Sequence, residues 1–401
     1  MADIKPFQAV RPQKKYADKV STLPYDVFSE KEAREAVAAN PRSFLRIVRS
    51  ETAFPEGADI YSDKVYEKAR ELLFEDIENG IMIREDQECY YVYRQTMRNR
   101  SQTGIVACFS VDDYLNNIIK KHEFTRHDKE LDRTRHITAC SAQTGMVFLA
   151  FNEKYDINDI IERVTQRDPL YDFFSVDMVK QTVWKVDDPR EISEITERFK
   201  QMDCLYVADG HHRCASAASV AKIKREEDPG HNGSEEYNYF MGVAFSQNQL
   251  MIYPYNRVMS DLNGMTDEDF LKALPGQGFT VEQVEEEFTE KERRRDADKI
   301  GRKHEIAMYL SGKWYRLTAD PSILKNDAVG SLETSMLHDN ILEPLLGVTD
   351  ERADPRVDFI GGVRAFSLIE QRCSEDMKVG FALYPTSMNE LFRVTDEGMV
   401  M

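Results

Sequence analysis

The chain contains no C-x-x-C pair: its six cysteines, Cys89, Cys108, Cys140, Cys204, Cys214 and Cys373, are scattered over 401 residues. That spacing excludes a zinc ribbon and a thioredoxin-like motif, and it suits the reduced thiols of a cytosolic protein. Long apolar runs are missing as well. The longest, Met146 to Phe151, is too short to span a bilayer, and Met1-Ala2-Asp3-Ile4-Lys5-Pro6 opens no stretch of signal-peptide length. The expected location is therefore cytoplasmic, with no membrane partner. Positive charge is also scarce. With 53 basic against 71 acidic residues the net charge is −18, a field that repels a phosphodiester backbone, and no helix-turn-helix pair is evident, so nucleic acid is a poor candidate partner. Internal repeats and low-complexity tracts are absent.

What is present suits a globular chain of two or three domains, since 41% of the residues are apolar. Ser29 and Glu32 form a capping box for a helix that runs to Pro41, and Asp63 to Asn79 forms a second helix closed by Gly80. Phe44 to Val48 reads as a strand. Tyr90 to Gln95 and Gly104 to Val111 suit a hairpin. Further on, Val147 to Phe151, Val179 to Val186 and Cys204 to Ala208 read as strands that alternate with helices at Asn158 to Thr165 and Arg190 to Met202. Lys224 to Glu236 reads as a charged loop, and Tyr237 to Phe245 is expected to pair with Leu250 to Tyr255. A charged helix is expected over Val281 to Lys299, a hairpin over His304 to Thr318 around Ser311-Gly312, and a strand over Val379 to Tyr384. The fold class is α+β, with mixed sheets and helices in three regions: an N-terminal α/β region (1–111), a central core (112–260) and a C-terminal α/β region (261–401).

One string concentrates chemistry. Asp209-Gly210-His211-His212-Arg213 lies between the strand signal of Cys204 to Ala208 and an Ala-rich helix signal over Cys214 to Ile223. A helix N-terminus presents unpaired N–H groups and the positive end of a dipole, and a preceding glycine lets a phosphate approach the backbone. Arg213 adds a donor fork suited to phosphate or carboxylate, and the two imidazoles titrate near neutral pH. The plain alternative is an Asp-Gly turn without chemistry.

A second dense stretch is His122-Glu123-Phe124-Thr125-Arg126-His127. It differs from the zinc-protease pattern H-E-x-x-H, because the second histidine comes five positions on instead of four, which carries the rings apart on a regular helix. Without metal, Glu123 is a candidate general base, with Thr125, Lys129, Asp132 and Arg133 as orienting or charge-neutralising neighbours. The alternative is a polar helix with its charges paired along the surface.

Taken together, Pro24-Tyr25-Asp26-Val27, Tyr93-Arg94-Gln95, Tyr114 with His122-Glu123-Phe124-Thr125, Lys129 with Asp132-Arg133, and Val207 to Arg213 resemble the domain of unknown function 1015 (DUF1015) family, over nearly the whole chain. Members are often labelled as related to chromosome-partitioning ParB proteins (the SpoOJ/ParA/ParB/RepB label). The resemblance implies a ParB/sulfiredoxin-like core around Asp209 to Arg213, and within that superfamily a parallel to free serine kinase. It implies Glu123 as the base on a hydroxyl, with His122 and Asp209 beside it in the catalytic set. Gly210, His211, His212, Arg213, Thr125 and Arg133 would then hold phosphate or nucleotide, Asp209 a Mg2+ ion, and Tyr25, Asp26 and Arg94 the substrate. Arg257, after Pro254-Tyr255-Asn256, and the turn-rich Asp354 to Gly362 segment are further candidates for the site border, against the simpler reading of a strand end and a turn. The family pattern continues near its C-terminus into a Pro-Lys-Ser/Thr-Thr segment, whereas this sequence closes on Gly398-Met399-Val400-Met401; a truncated or divergent member is expected.

The leading expectation is nucleotide-dependent phosphotransfer, with ATP or ADP and Mg2+, to a small hydroxy metabolite such as L-serine. The alternatives are a non-catalytic, nucleotide-binding ParB-like regulator, and a metal-dependent nuclease or hydrolase built on His122, His211 and His212. The partners expected are a nucleotide and a small molecule, with homo-oligomerisation left open.

Overall fold

The structure, a computed structural model, describes residues 1–284, 302–361 and 365–400. The chain divides into two compact units, Met1–Leu250 and Met251–Met401.

The first unit is organised by a nine-stranded mixed sheet. Its strands are β1 (Ile4–Lys5), β2 (Tyr90–Met97), β3 (Arg100–Ser110), β4 (Ile119–Lys120), β5 (Val147–Phe151), β6 (Tyr171–Phe174), β7 (Lys180–Val186), β8 (Leu205–Asp209) and β9 (Tyr239–Ser246). The order is β4-β8-β5-β9-β3-β2-β7-β6, with β1 added on β3. Side chains alternate across it as the pleat requires. Tyr90, Val92, Ile105, Ala107, Phe109, Val147, Leu149 and Phe151 enter one core, while Tyr91, Val106 and Phe245, with Phe148 packed beside them, enter another on the opposite face. Around the sheet are α1 (Glu30–Ala39), α2 (Asp63–Glu78), α3 (His127–Cys140), α4 (Asn158–Thr165), α5 (Pro189–Lys200) and α6 (His211–Glu227). The Ser29–Glu32 capping box forms as expected, and Gly80 follows α2 at φ +64°.

The second unit is an antiparallel sheet of β10 (Tyr255–Met259), β11 (Phe279–Gln283), β12 (Glu305–Leu310), β13 (Lys313–Ala319), β14 (Val357–Gly361) and β15 (Val379–Ala382) in the order β11-β13-β12-β15-β10-β14. Helices α7 (Asp267–Ala273), α8 (Ala365–Glu375) and α9 (Met388–Asp396) belong to the same unit. Its core gathers Phe270, Ile306, Met308, Leu317, Leu342 and Phe381.

Several expectations change. The run at Phe44 is one helical turn, Leu45–Val48, since a short buried apolar run has no period that separates strand from helix. The mixed sheet expected of the fold class is present: β4–β8 and β5–β9 run parallel, while β3–β9 and β2–β7 run antiparallel. β9 does not form a hairpin with the next strand. Gln247–Gln249 is a 3-10 turn, and the following strand starts only at Tyr255, after Pro254, where it joins the other sheet between β14 and β15. The charged segment after Ala221 stays helical to Glu227. Phe279–Gln283 is a strand, so a helix does not begin at Val281; positions 285–299 lie outside the described residues. The turn-rich stretch after Asp354 contains β14. The regions 1–111 and 112–260 share one sheet, because β2 and β3 pair with β7 and β9. Among the described residues no helix is long and apolar enough to cross a membrane.

Candidate active site

β4 and β8 are parallel neighbours, with Ile119 opposite Leu205 and Lys120 opposite Tyr206. Parallel strands end on the same side of a sheet, so the segments that follow them emerge together, where α/β sheets form their crevices. One of these segments is 121–126; the other is Asp209 to Arg213. A register found nowhere in the local pattern therefore joins the two stretches.

β8 closes on an irregularity. Val207 pairs with Leu149 but Asp209 pairs with Phe148, so Ala208 is an extra residue that redirects the chain just before the site. Gly210 then takes φ +93° and starts α6. A Cβ at this position would stand 3.0 Å from Arg213 Nε and 3.1 Å from Cζ, so the backbone angle favours glycine and any side chain here would also make the guanidinium give way. Among the described residues no side chain caps α6, and its first turn holds no acidic residue. Its leading N–H groups and the positive dipole end are left for solvent or an anion. Arg213 donates from Nη2 to Asp209 Oδ2 at 2.6 Å and from Nη1 to the Met146 carbonyl. The Asp209 side chain is 70% exposed.

Glu123 Oε2 lies 3.4 Å from His211 Nδ1. The rings of His122 and His211 meet edge to face, 4.5 Å between centroids, and the main-chain N–H of Arg126 donates to His212 Nε2 at 3.0 Å. Helix α3 starts only at His127, so His122 to Arg126 is not helical and the protease-like spacing has no helical meaning. Burial pushes His211 down to about 3, helped by the neighbouring His122, His212 and Lys121. It also lowers His122, against the pull of Asp209. Both rings are neutral near pH 7, so the approach of Glu123 to His211 is a close polar contact and not an ion pair. His211 Nε2 and His122 Nδ1 are buried without a hydrogen-bond partner among the described residues.

α3 is fastened to α6 through Glu130, which accepts Ser216 Oγ at its carbonyl (3.0 Å) and Ser219 Oγ at Oε1 (2.7 Å). Thr125 Oγ1 donates to its Oε2 at 3.4 Å, so Thr125 is committed to the Glu130 carboxylate. Arg133 binds Asp132 Oδ2 through Nε and Nη2 (3.0 and 2.7 Å), Tyr66 donates to Asp132 Oδ1 at 2.8 Å, and the Arg133 guanidinium stands over the Tyr25 ring at 4.4 Å. Burial raises the Tyr25 phenol; Arg133 and Arg213 pull it back. Tyr25 thus lies in the field of both arginines, with Asp26 exposed beside it.

The structure brings Tyr25, His122, Glu123, Thr125, Arg133 and Asp209 to Arg213 into one neighbourhood of the first unit. Arg94 stands apart from it: its Nε donates to Thr103 at 2.9 Å and its guanidinium lies over Trp184, within the sheet. Arg257 belongs to the second unit, where it binds Glu351 at 2.7 Å. Glu130 escaped the sequence reading, although Ser216 and Ser219, three apart on an Ala-rich helix, mark a polar stripe that needs an acceptor. The extra residue at Ala208 leaves no local signal.

Among the described residues no group of three His, Cys, Asp or Glu could hold a metal ion. The metal-hydrolase expectation fails on this donor set, because His212 turns its Nε2 to a main-chain N–H. A single exposed carboxylate at Asp209 does fit Mg2+, which is commonly held by one or two carboxylates and completed by substrate phosphates and water.

The model of a family described as "Protein of unknown function (DUF1015)" matches residues 4–335. No curated protein matches the chain. Among solved structures, free serine kinase in complex with AMP is similar at a TM-score of 0.32 and 11% identity, over 74% of this chain and 83% of that one. A conserved hypothetical protein from Pyrococcus furiosus is similar at 0.30 and 10% identity, over 74% and 87%. A mutant free serine kinase in complex with ADP reaches 0.30 and 11%, over 75% and 85%.

Proposed function

The chain belongs to the DUF1015 family, whose description names no function, and from the chemistry of the site itself we propose that it transfers a phosphoryl group from ATP or ADP to the hydroxyl of a small metabolite of the L-serine kind. The observation that carries this reading is the 3.4 Å contact between Glu123 and His211. It sets a half-exposed carboxylate beside an uncapped helix N-terminus, so that a base and an anion site adjoin.

Phosphoryl transfer asks little covalent chemistry of a protein, only positioning, charge neutralisation and a base for the acceptor. In this reading the N–H groups that open α6 and the Arg213 fork hold the phosphates, with the Gly210 backbone allowing close approach. Glu123 takes the acceptor's proton as its oxygen bonds to phosphorus, and the bridging oxygen leaves with the nucleotide. His122 and His211 exclude water beneath the carboxylate, and Tyr25, Asp26 and Arg133 border the acceptor. Mg2+ arriving with the nucleotide, on Asp209, would neutralise charge on the phosphates.

The test is turnover. Purified protein with ATP or ADP, Mg2+ and L-serine or related hydroxy acids should yield the phosphorylated acceptor by mass spectrometry, and Glu123→Gln should not. Equal behaviour of the two proteins removes the proposal; nucleotide binding without turnover in both favours the non-catalytic regulator.

A further inference from the structure

The histidines after Gly210 face protein. His212 Nε2 accepts the Arg126 N–H at 3.0 Å, which requires that nitrogen to be unprotonated. His211, 4% exposed, brings Nδ1 to 3.4 Å from Glu123 Oε2 and sets its ring edge to face against His122. Two successive residues at the start of α6 therefore hold three positions of a single segment, 122, 123 and 126. The last of these, at φ −84° and ψ 130°, is the residue from which α3 springs.

We propose that His211 and His212 are positioning residues: together they latch segment 122–126 to the start of α6 and so aim the Glu123 carboxylate, while anions meet only main-chain N–H groups and Arg213. Each histidine has a separate task. The contact at His211 orients one side chain, whereas the bond at His212 fixes the backbone from which that side chain hangs. A carboxylate held at one point alone would swing about its own chain, and positional error of this kind is costly in catalysis. The effect on turnover rests on the phosphotransfer reading; the latch itself does not.

Hydrogen exchange of the full chain without ligand reads the latch directly. His212→Ala should speed exchange over 122–126 by about tenfold, the factor expected for loss of one hydrogen bond, and leave β2 and β3 unchanged. His212→Gln, whose amide oxygen reaches about as far as Nε2, should restore protection. Arg126→Pro removes the donor at a φ that proline accepts, keeps both histidines, and should match His212→Ala. Unchanged exchange in either His212→Ala or Arg126→Pro overturns the latch, and if His212→Ala loosens the whole unit, Arg126→Pro decides. Titration with inorganic phosphate and with ADP supplies the second readout. His212→Ala should bind both within about threefold of wild type, because main-chain donors remain, and should lower kcat with KM unchanged. A loss of binding beyond about tenfold makes the His212 side chain a ligand and overturns the proposal. Wild-type protein that binds neither probe would defeat the phosphotransfer reading and leave the exchange result standing.

Discussion

Arg213 and Arg257 each lie against a carboxylate with a histidine nearby, and the two clusters differ in what they leave unmet. In the second unit, Glu351 gives Oε2 to Arg257 at 2.7 Å and Oε1 to His338 at 3.0 Å. Arg257 is 9% exposed, its guanidinium over the rings of Tyr255 and Phe359. Both carboxylate oxygens are used and the charge is enclosed. In the first unit, Asp209 is largely in solvent, and among the described residues no side chain caps α6 and two buried imidazole nitrogens have no partner. Satisfied polar clusters hold a fold together, while unmet groups held in place by their surroundings mark a site. The same residue types thus serve cohesion in one cluster and readiness in the other.

That distinction is broken most directly by the two carboxylates. Glu123→Gln should lower kcat by about 10²–10⁴-fold, the usual share of a general base, while the folding free energy moves by less than about 0.5 kcal/mol because the residue is half exposed. Next in size, Arg257→Ala should cost about 3–5 kcal/mol in a urea melt, since it strands a buried carboxylate, whereas Arg213→Ala should cost only about 1 kcal/mol, its partner Asp209 being solvated. Equal stability losses at the two arginines would erase the contrast.

Local chemistry made some of this architecture legible. The Ser29–Glu32 capping box announced α1, and Ser311-Gly312, at φ +48° and +82°, announced the turn between β12 and β13. The start of α6 was readable because glycine before a helix has a mechanical reason. What remained hidden is non-local. The parallel pairing of β4 with β8, across more than eighty residues, leaves no mark on either short strand, yet it alone brings Glu123 to His211. The direction of the histidines was equally hidden: their residue type suggests ligands, and only the fold shows that they face the 122–126 segment. Whether an arginine's partners are already present is hidden as well: the pairing of Arg257 with Glu351 leaves no mark in the sequence.

A pH series sharpens the comparison, because one buried group in each unit, His211 and Glu333, responds in the opposite sense. His211 has its value depressed from 6.5 to about 3. Between those values the unfolded chain binds a proton that the native chain refuses, so stability falls as pH drops. Glu333, with Oε2 buried and unpartnered among the described residues and Oε1 accepting the His304 N–H, is pushed by burial from 4.5 to about 7. Across that window the native chain keeps a proton that the unfolded chain releases, so stability falls as pH rises, by roughly 3 kcal/mol. Urea melts from pH 4 to 8 should show Glu333→Gln flattening the loss toward neutrality and His211→Asn flattening the loss toward acid. An unchanged pH slope in either variant would show that the corresponding group is not buried in its ordinary state.

The smallest effect concerns two glycines. Gly210 holds φ +93° beneath the Arg213 guanidinium, whereas a Cβ at Gly361 would, among the described residues, meet the Tyr255 ring at 3.7 Å. Gly361→Ala should therefore change stability by less than about 0.5 kcal/mol. Gly210→Ala should cost about 1–2 kcal/mol for the left-handed backbone, and Gly210→Asn less, because asparagine tolerates that region. Both Gly210 variants carry a Cβ that must displace the guanidinium, so both should weaken phosphate binding alike even though their stabilities differ. If phosphate affinity instead follows stability, the backbone angle matters and the Arg213 fork does not; if it is lost equally in both, the glycine is kept for the arginine that lies over it.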